Sequence, residues 1–101
     1  MDDKQLHINK KLIPLVSIII PTYNHAEFIG KAIKSIINQT YQNWEAIIID
    51  NQSTDQTNEI LKNFIDTRIK YLKIDNNGII AKSRNLGIKI AKGEWIAFLD
   101  S

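Results

Sequence analysis

Two apolar runs of the sequence stop at an aspartate, and these aspartates are the first candidates for chemistry. Residues 46–49 lead into Asp50 and Asn51, and residues 95–99 lead into Asp100. An apolar run that ends in a polar turn is typical of a buried parallel strand, and open α/β sheets bind ligands beside the carboxyl ends of such strands. The pattern therefore favours a nucleotide or another phosphorylated ligand.

Each of these side chains also has a purely structural interpretation. Asp50 can accept hydrogen bonds from backbone amides of its turn, and Asn51 can simply tolerate the dihedral angles there. Asp100 follows a strand that is apolar on both faces, where a lone carboxylate is unfavourable unless a cation or a donor meets it. A hard divalent cation with a bound diphosphate would suit it, although one carboxylate is a weak signal for a metal. The residues alone leave these alternatives open.

Other polar residues near the predicted strand ends are equally ambiguous. Arg84 is most simply a helix-surface charge, and the alternative is that Arg84 or Lys82 contacts a phosphate or holds Asp100 in place. Tyr23 either packs its loop or belongs to a loop-to-helix junction that meets an anion. His7 and His25 lack zinc-ligand spacing, so both are interpreted as non-catalytic. No Gly-x-Gly-x-x-Gly or Walker sequence follows the first strand, which argues against a dinucleotide dehydrogenase and an NTPase.

The elements that must position these residues alternate between strands and helices. Strands are predicted at residues 15–20, 45–50, 68–74 and 95–99, with a helix in each connection. Asn24 is the expected N-cap of the first helix and Ser53 that of the second, and Gly93 is expected at the end of the third. The first, second and fourth strands have the composition of buried strands and the third that of a peripheral one. We therefore predict an α/β fold with a mostly parallel sheet in the order 3-2-1-4.

Composition limits the classes of function. The 101 residues have a net charge of +2, which does not indicate nucleic acid or an anionic membrane as a partner. The absence of cysteine excludes disulfides and thiolate metal sites. No apolar run approaches the ~18 residues of a membrane span. The mostly polar residues 1–14 are interpreted as a flexible leader, and residues 15–101 as one domain.

A series of motifs runs in order through that domain. They are VSIIIPTYN at 16–24, SIINQT at 35–40, WEAIIIDNQSTD at 44–55, NG at 77–78, SRNLG at 83–87 and AKGEWIAFLDS at 91–101. Together they resemble the N-terminal, donor-binding half of a family-2 glycosyltransferase with the A-type nucleotide-sugar fold. The resemblance implies a Rossmann-like domain of three α/β/α layers, and it is specific for the family but not for a substrate.

The resemblance also implies a site for a nucleoside-diphosphate sugar, commonly UDP-linked. The implied nucleotide-binding residues are Pro21, Thr22, Tyr23, Asp50, Asn51 and Arg84. Asp100 would be the first carboxylate of the Asp-x-Asp motif, which holds Mg or Mn against the diphosphate. Many members carry an acid at the position of Asn51, so the resemblance leaves the preferred base open.

The implied reaction is transfer of the sugar to a glycan or lipid acceptor with inversion, as in polysaccharide biosynthesis. The general base and the second motif aspartate are expected beyond Ser101, so the chain is interpreted as a fragment with little or no turnover of its own. The parent protein is expected in the cytoplasm. If its acceptor is a lipid, it is expected at the cytoplasmic face of a membrane. A free edge on the fourth strand would allow self-association.

Two other classes of function compete with this interpretation. The first is a non-catalytic nucleotide-binding or interaction module, which weak UDP binding without metal dependence would favour. The second is a flavodoxin-like regulatory domain, which the PTYN and DNQSTD segments fit poorly.

Overall fold

Strands and helices alternate along the whole computed structural model, which describes residues 13–100. The strands are β1 (Val16–Thr22), β2 (Trp44–Asn51), β3 (Ile69–Ile74) and β4 (Trp95–Phe98), and the helices are α1 (Ala26–Asn38), α2 (Thr57–Lys62) and α3 (Ile80–Ile90). Every pair of neighbouring strands is parallel, and the order is β3-β2-β1-β4. The predicted α/β fold and strand order are confirmed.

The central strands are apolar on both faces because helices cover both. Ile20 and Ile48 belong to one core cluster with α1 and with Leu61 of α2. Ile19 and Ile47 point the other way, into a second cluster with Leu86, Ile90 and Ala91 at α3. The sheet is thus the middle of three layers, which explains why the run in β2 does not alternate with polar residues.

The strand register brings the carboxyl ends of neighbouring strands to one edge of the sheet. Thr22 of β1 pairs with Asp50 of β2, and Ile19 pairs with Phe98 of β4. The backbone amide of Leu99 continues this pairing by donating to the carbonyl of Ile19 at 2.9 Å. The polar residues that follow the strands therefore collect at the same edge.

The expectation that β4 is buried like β1 and β2 is wrong for the part of the chain that the structure describes. Trp95 is 65% exposed and Phe98 is 46% exposed. β4 pairs with β1 and forms one edge of the sheet, while β3 forms the other, as predicted. An apolar run predicts a strand, but it does not say whether the sheet continues past it.

The predicted cap at Asn24 is wrong, because the cap of α1 comes from a distant loop. Asn24 has a left-handed backbone, with φ of 45°, whereas a capping residue needs an extended one. His25 occupies the N-cap position without a side-chain cap bond. The first amide of the helix, that of Ala26, instead donates to Oδ2 of Asp55 at 3.0 Å.

The predicted cap at Ser53 is wrong for a similar reason. Its hydroxyl is bound to Asp50, and α2 begins after Gln56. Asp55 takes the capping role, since its Oδ1 accepts from the backbone amide of Thr57 at 3.0 Å and from the Thr57 hydroxyl at 2.5 Å. Asp55 thus holds the starts of both helices, and these hydrogen bonds lower the pKa of its carboxyl.

Gly93 does not end α3 as a left-handed residue, since the helix is followed by Ala91 in an extended conformation. Glycine is required there by close packing against β1. An added Cβ would lie 2.5 Å from Oγ of Ser17 and 2.7 Å from the carbonyl oxygen of Leu15. The prediction that Gly93 ends the helix is therefore wrong, and the requirement for glycine there comes from tertiary packing.

Most of the predicted leader, residues 1–12, lies outside the described residues. The two leader residues that are described contact the loop before β2, where Asn43 donates to the carbonyl of Ile13 at 2.8 Å and the Tyr41 hydroxyl donates to that of Pro14. Among the helices of residues 13–100, none has the length and apolar character needed to cross a bilayer.

Candidate nucleotide-sugar site

An open pocket of about 340 Å³ lies at the carboxyl edge of the sheet. Its lining residues come from the ends of β1 and β2, the start of α3 with the preceding loop, and the segment after β4: Pro21, Thr22, Tyr23, Asn51, Asn76, Gly78, Ile80, Ser83 and Asp100. The chain leaves β1 toward β2 on one side and later returns to pair β4 on the other. Such a switch point is where open α/β sheets bind their ligands.

The structure brings most of the predicted site residues together in this pocket. Five of them line it, namely Pro21, Thr22, Tyr23, Asn51 and Asp100. Arg84 reaches the pocket through its contact with Asp100, and Asp50 lies beneath the lining. His25 is outside it and stacks on Phe28, with ring centroids 5.1 Å apart.

The carboxylate of Asp50 is fully buried and is held by three donors. Its Oδ1 accepts from the backbone amide of Ser53 at 2.9 Å and from the Ser53 hydroxyl at 2.5 Å. Its Oδ2 accepts from the hydroxyl of Tyr71 on β3 at 2.5 Å. Burial and the bond to this carboxylate raise the pKa of Tyr71, so the tyrosine is the donor at every physiological pH.

The loops after β1 and β2 are joined by hydrogen bonds of the backbone and the side chain of Asn24. Its backbone amide donates to Oγ of Ser53 at 2.9 Å, and its Oδ1 accepts from the backbone amide of Thr54 at 2.7 Å. These hydrogen bonds link the two loops at the rim of the pocket. Sequence reasoning missed this link, because the partners are about thirty residues apart.

Asn51 contributes one wall of the pocket and is itself held by the loop after β3. Its Oδ1 accepts from the backbone amide of Asn76 at 3.1 Å. The buried side chain of Asn76 donates from Nδ2 to Oγ of Ser83 at 2.9 Å and accepts from the amide of Gly78 at 2.8 Å. Gly78, with φ of 76°, has the left-handed backbone that glycine adopts without strain.

Asn76 and Ser83 are site residues that sequence reasoning did not select. Both are buried, at 3% and 1% exposure, and both line the pocket. Their one signal in the sequence is the position of Asn76 in a turn and of Ser83 on the inner stripe of α3. Neither position by itself distinguishes a ligand contact from a packing contact.

Arg84 and Asp100 form an ion pair across the mouth of the pocket. The guanidinium Nη2 contacts Oδ2 of the carboxylate, and Nε lies 3.4 Å from Oδ1. The two side chains are 40% and 49% exposed. Of the alternatives that the sequence left open for Arg84, this contact is the one in which it holds Asp100 in place.

The part of the pocket that the structure describes has one side chain, that of Asp100, that could bind a hard cation through a carboxylate. Within residues 13–100 there is no group of three or more His, Cys, Asp or Glu residues that could hold a metal. Asp100 supplies the one carboxylate among the described lining residues. Mg²⁺ is commonly held by one or two carboxylates together with phosphate oxygens and water. The pocket therefore fits a cation that is held jointly by Asp100 and a bound diphosphate.

A parallel sheet covered on both faces, with a pocket at its switch point, is the architecture of doubly wound α/β domains, which bind their ligands at that point. A sequence model of the family described as "Glycosyl transferase family 2" matches residues 17–101. The chain therefore belongs to glycosyl transferase family 2, and the resemblance drawn from its motifs is confirmed.

Two curated relatives illustrate the similarity in sequence. The chain is 40% identical over 89 residues to the glycosyltransferase GlyG of Streptococcus pneumoniae. The aligned region covers 86% of this chain and 30% of GlyG. A second relative is an Escherichia coli protein, the UDP-Glc:alpha-D-GlcNAc-diphosphoundecaprenol beta-1,3-glucosyltransferase WfgD. The chain is 45% identical to WfgD over 87 residues, and the aligned region covers 86% of this chain and 34% of WfgD. The chain thus spans about a third of the length of these relatives.

Two solved structures share the fold. TarS 1-349 of S. aureus in complex with UDP matches with a TM-score of 0.78 and 33% identity, over 85% of this chain and 27% of that one. The mannosyltransferase PcManGT from Pyrobaculum calidifontis, in complex with GDP-Man and Mn2+, matches with a TM-score of 0.76 and 28% identity, over 86% of this chain and 27% of that one. The predicted A-type glycosyltransferase fold is confirmed.

Proposed function

We propose that this chain is the donor-binding part of an inverting glycosyltransferase whose donor is a UDP-linked sugar. The observation that carries the proposal is the pocket at the switch point of a family-2 domain, with Tyr23 and Asn51 on one side and Asp100 at its mouth. UDP is supported by the name of WfgD and by the UDP complex of TarS. The GDP-Man complex of PcManGT makes GDP-linked sugars the comparison to test.

The nucleoside occupies the wall formed by the ends of β1 and β2. Tyr23 is 58% exposed, so its ring can cover the face of a base. Pro21 and Thr22 form the adjoining surface, and Asn51 offers an amide to the base or the ribose. Asp50 belongs to this side of the site because it immediately precedes Asn51 and supports its turn.

The diphosphate lies toward Arg84 and Asp100, where a guanidinium and a carboxylate meet at the mouth of the pocket. Arg84 supplies positive charge and directional N–H donors that suit phosphate oxygens. Asp100 would hold Mg²⁺ or Mn²⁺, which neutralises charge on the leaving nucleoside diphosphate. The contact between the two residues keeps the carboxylate oriented toward the pocket.

The acceptor is proposed to be a glycan or a lipid-linked sugar, the kind of acceptor that the name of WfgD describes. An inverting transfer needs a base that removes the proton of the acceptor hydroxyl. Asp100 is the one carboxylate among the described lining residues and is assigned to the cation, so we place the base outside the described residues. A lipid-linked acceptor would locate the reaction at the cytoplasmic face of a membrane.

Calorimetric titration of the chain tests the donor site. UDP should bind more tightly than GDP or CDP, and Mn²⁺ should strengthen the binding of UDP but not of uridine. Binding of UDP that is unaffected by Mn²⁺ would support a non-catalytic nucleotide-binding module instead. No heat with any nucleotide would contradict the proposal.

Two further expectations stay predictions. The chain alone should give little or no turnover, and acceptor-dependent release of UDP above that of an Asp100→Ala variant would contradict this. The edge of β4, with Trp95 and Phe98 exposed, is proposed to pair with a second copy of the chain. Light scattering that reports a monomer at high concentration would contradict self-association.

A further inference from the structure

A chain of hydrogen bonds runs from the peripheral strand β3 through the interior to the rim of the pocket. The Tyr71 hydroxyl donates to Asp50, which also accepts from the backbone amide and the hydroxyl of Ser53. The Ser53 hydroxyl oxygen then accepts from the backbone amide of Asn24 at 2.9 Å. None of these four residues lines the pocket. The series of hydrogen bonds therefore reaches the rim of the pocket through residues that do not face its interior.

The direction of every bond in this chain is fixed by what each group can donate. A tyrosine whose pKa is raised remains protonated, and a buried carboxylate needs donors. The Ser53 hydroxyl gives its one hydrogen to Asp50, so its oxygen is left to accept from the amide of Asn24. The hydrogen bonds thus link Tyr71 through Asp50 and Ser53 to the loop that carries Asn24.

The loop positions held in this way are unfavourable without support. Asn24 and Gln52 have positive φ values, 45° and 53°, in the left-handed region, which asparagine tolerates and glutamine seldom adopts. Each directly follows a residue that lines the pocket, Tyr23 in one loop and Asn51 in the other. The hydrogen bonds that stabilise these backbone conformations thus also set where the two lining residues lie.

We propose that Tyr71 and Asp50 are positioning residues, which set nucleotide affinity by fixing the loops that carry Tyr23 and Asn51. The inference rests on the proposed function of the pocket and extends it to a residue on β3. Tyr71 acts through Asp50 and Ser53, and its hydroxyl never meets the nucleotide. Asp50 supports the site from beneath, which accounts for its full burial.

The test compares the removal of one hydroxyl at each end of the sheet. Tyr71→Phe keeps the ring, which packs against the core, and removes the donor to Asp50. Ser17→Ala is the matched control, because it removes a buried hydroxyl that donates to the Glu45 carboxylate at 2.6 Å, far from the pocket. UDP titration should show about a fivefold weaker affinity for Tyr71→Phe and an unchanged affinity for Ser17→Ala, after urea unfolding has established their stabilities.

Amide hydrogen exchange supplies the readout that a general loss of stability does not give. In Tyr71→Phe the amides of Asn24 and Thr54 should exchange faster, while the amide of Leu99, which is bound to the Ile19 carbonyl, should keep its exchange rate.

Equal UDP affinity for Tyr71→Phe and the unchanged chain would overturn the inference, as would equal losses of affinity in Tyr71→Phe and Ser17→Ala. If Tyr71→Phe does not fold, Ser53→Ala decides, and unchanged UDP affinity in that variant overturns the inference. If the unchanged chain binds no nucleotide, the proposed function fails, while the exchange rates still report whether the loops depend on Tyr71.

Discussion

Arg84, in the second turn of α3, and Asp100, just after β4, pair across the mouth of the pocket. Both side chains are about half exposed, and an exposed ion pair stabilises a fold by at most about 1 kcal/mol. The main effect of the contact is therefore to place a positive and a negative group side by side at the pocket. A diphosphate with its cation needs these two charges at the same point.

Replacing Arg84 by alanine should weaken the binding of UDP about tenfold and leave that of uridine unchanged, because the proposed partner of the guanidinium is the diphosphate and not the nucleoside. The free energy of unfolding should change by less than about 1 kcal/mol, since the ion pair is exposed. Calorimetry with both ligands and urea unfolding provide the measurements. Lys89→Ala, which removes an exposed charge from the last turn of the same helix, is the control. Equal losses for UDP and uridine would show that Arg84 does not act on the diphosphate.

Replacing Asp100 by asparagine should abolish the strengthening of UDP binding by Mn²⁺, because a neutral amide is a much poorer ligand for a hard cation. Binding of UDP without a metal should stay within about twofold of the unchanged chain, or improve slightly as a charge near the diphosphate is lost. Titrations with and without Mn²⁺ measure this difference. Glu59→Gln removes an exposed acid of α2 and should keep the metal dependence. A variant at Asp100 that still responds to Mn²⁺ would place the cation elsewhere.

The fold could be predicted because the signals for it are local. The uninterrupted apolar run from Ala46 to Ile49 indicates a strand that is covered on both faces, and the structure buries all of it. The cap of α1 could not be predicted, because it is Asp55, which lies 29 residues along the chain from Ala26. No pattern within a single helix contains that information.

The site could be predicted as a region but not residue by residue. Asp50 and Asn51 were both assigned to the nucleotide, although successive residues of a strand point to opposite sides of the sheet. That alternation alone indicates that only one of the two can face a given pocket, and the structure places Asn51 there. The hydrogen bond between Asn76 and Ser83 depends on how α3 packs on the sheet, which the sequence does not give.

Two helical glycines should respond differently to substitution by alanine. At Gly87 in α3, an added Cβ would lie 2.5 Å from Cγ2 of the buried Ile19, so overpacking should destabilise the chain by about 1–3 kcal/mol. At Gly30 in α1, the nearest atom is Cγ2 of Ile60 at 3.2 Å. The higher helix propensity of alanine, worth about 1 kcal/mol, should offset that tighter contact. Urea unfolding of both variants measures the difference, and a Gly87→Ala variant as stable as Gly30→Ala would contradict the close packing of α3 on β1.

Glu45 forms a buried polar cluster at the end of the sheet opposite the pocket. Its carboxylate accepts from the Ser17 hydroxyl at 2.6 Å, from Lys70 at 2.8 Å and from the backbone amide of Lys92 at 2.7 Å. Burial by itself raises the pKa of Glu45, but the bonds from these three groups and the charge of Lys70 outweigh it and lower the pKa below its ordinary 4.5. The ionised form is therefore the one that the fold stabilises.

This depressed pKa predicts that Glu45 contributes to a loss of stability in acid, beside Asp55 and Asp66, whose pKa values are also lowered. The unfolded chain binds the proton more tightly than the folded one, so the contribution is complete above about pH 4.5 and is lost as the pH falls through the folded pKa. Glu45→Gln should cost about 1–2 kcal/mol near pH 7, because the charged partner of Lys70 is removed. It should also flatten the decline of the unfolding free energy between about pH 5 and pH 3.

The control is Glu27→Gln, at an exposed ion pair with Lys31, which should leave the pH dependence of the unfolding free energy as it is in the unchanged chain. Parallel slopes for Glu45→Gln and the unchanged chain would mean that the pKa of Glu45 is the same in the folded and unfolded states, which the three short hydrogen bonds argue against.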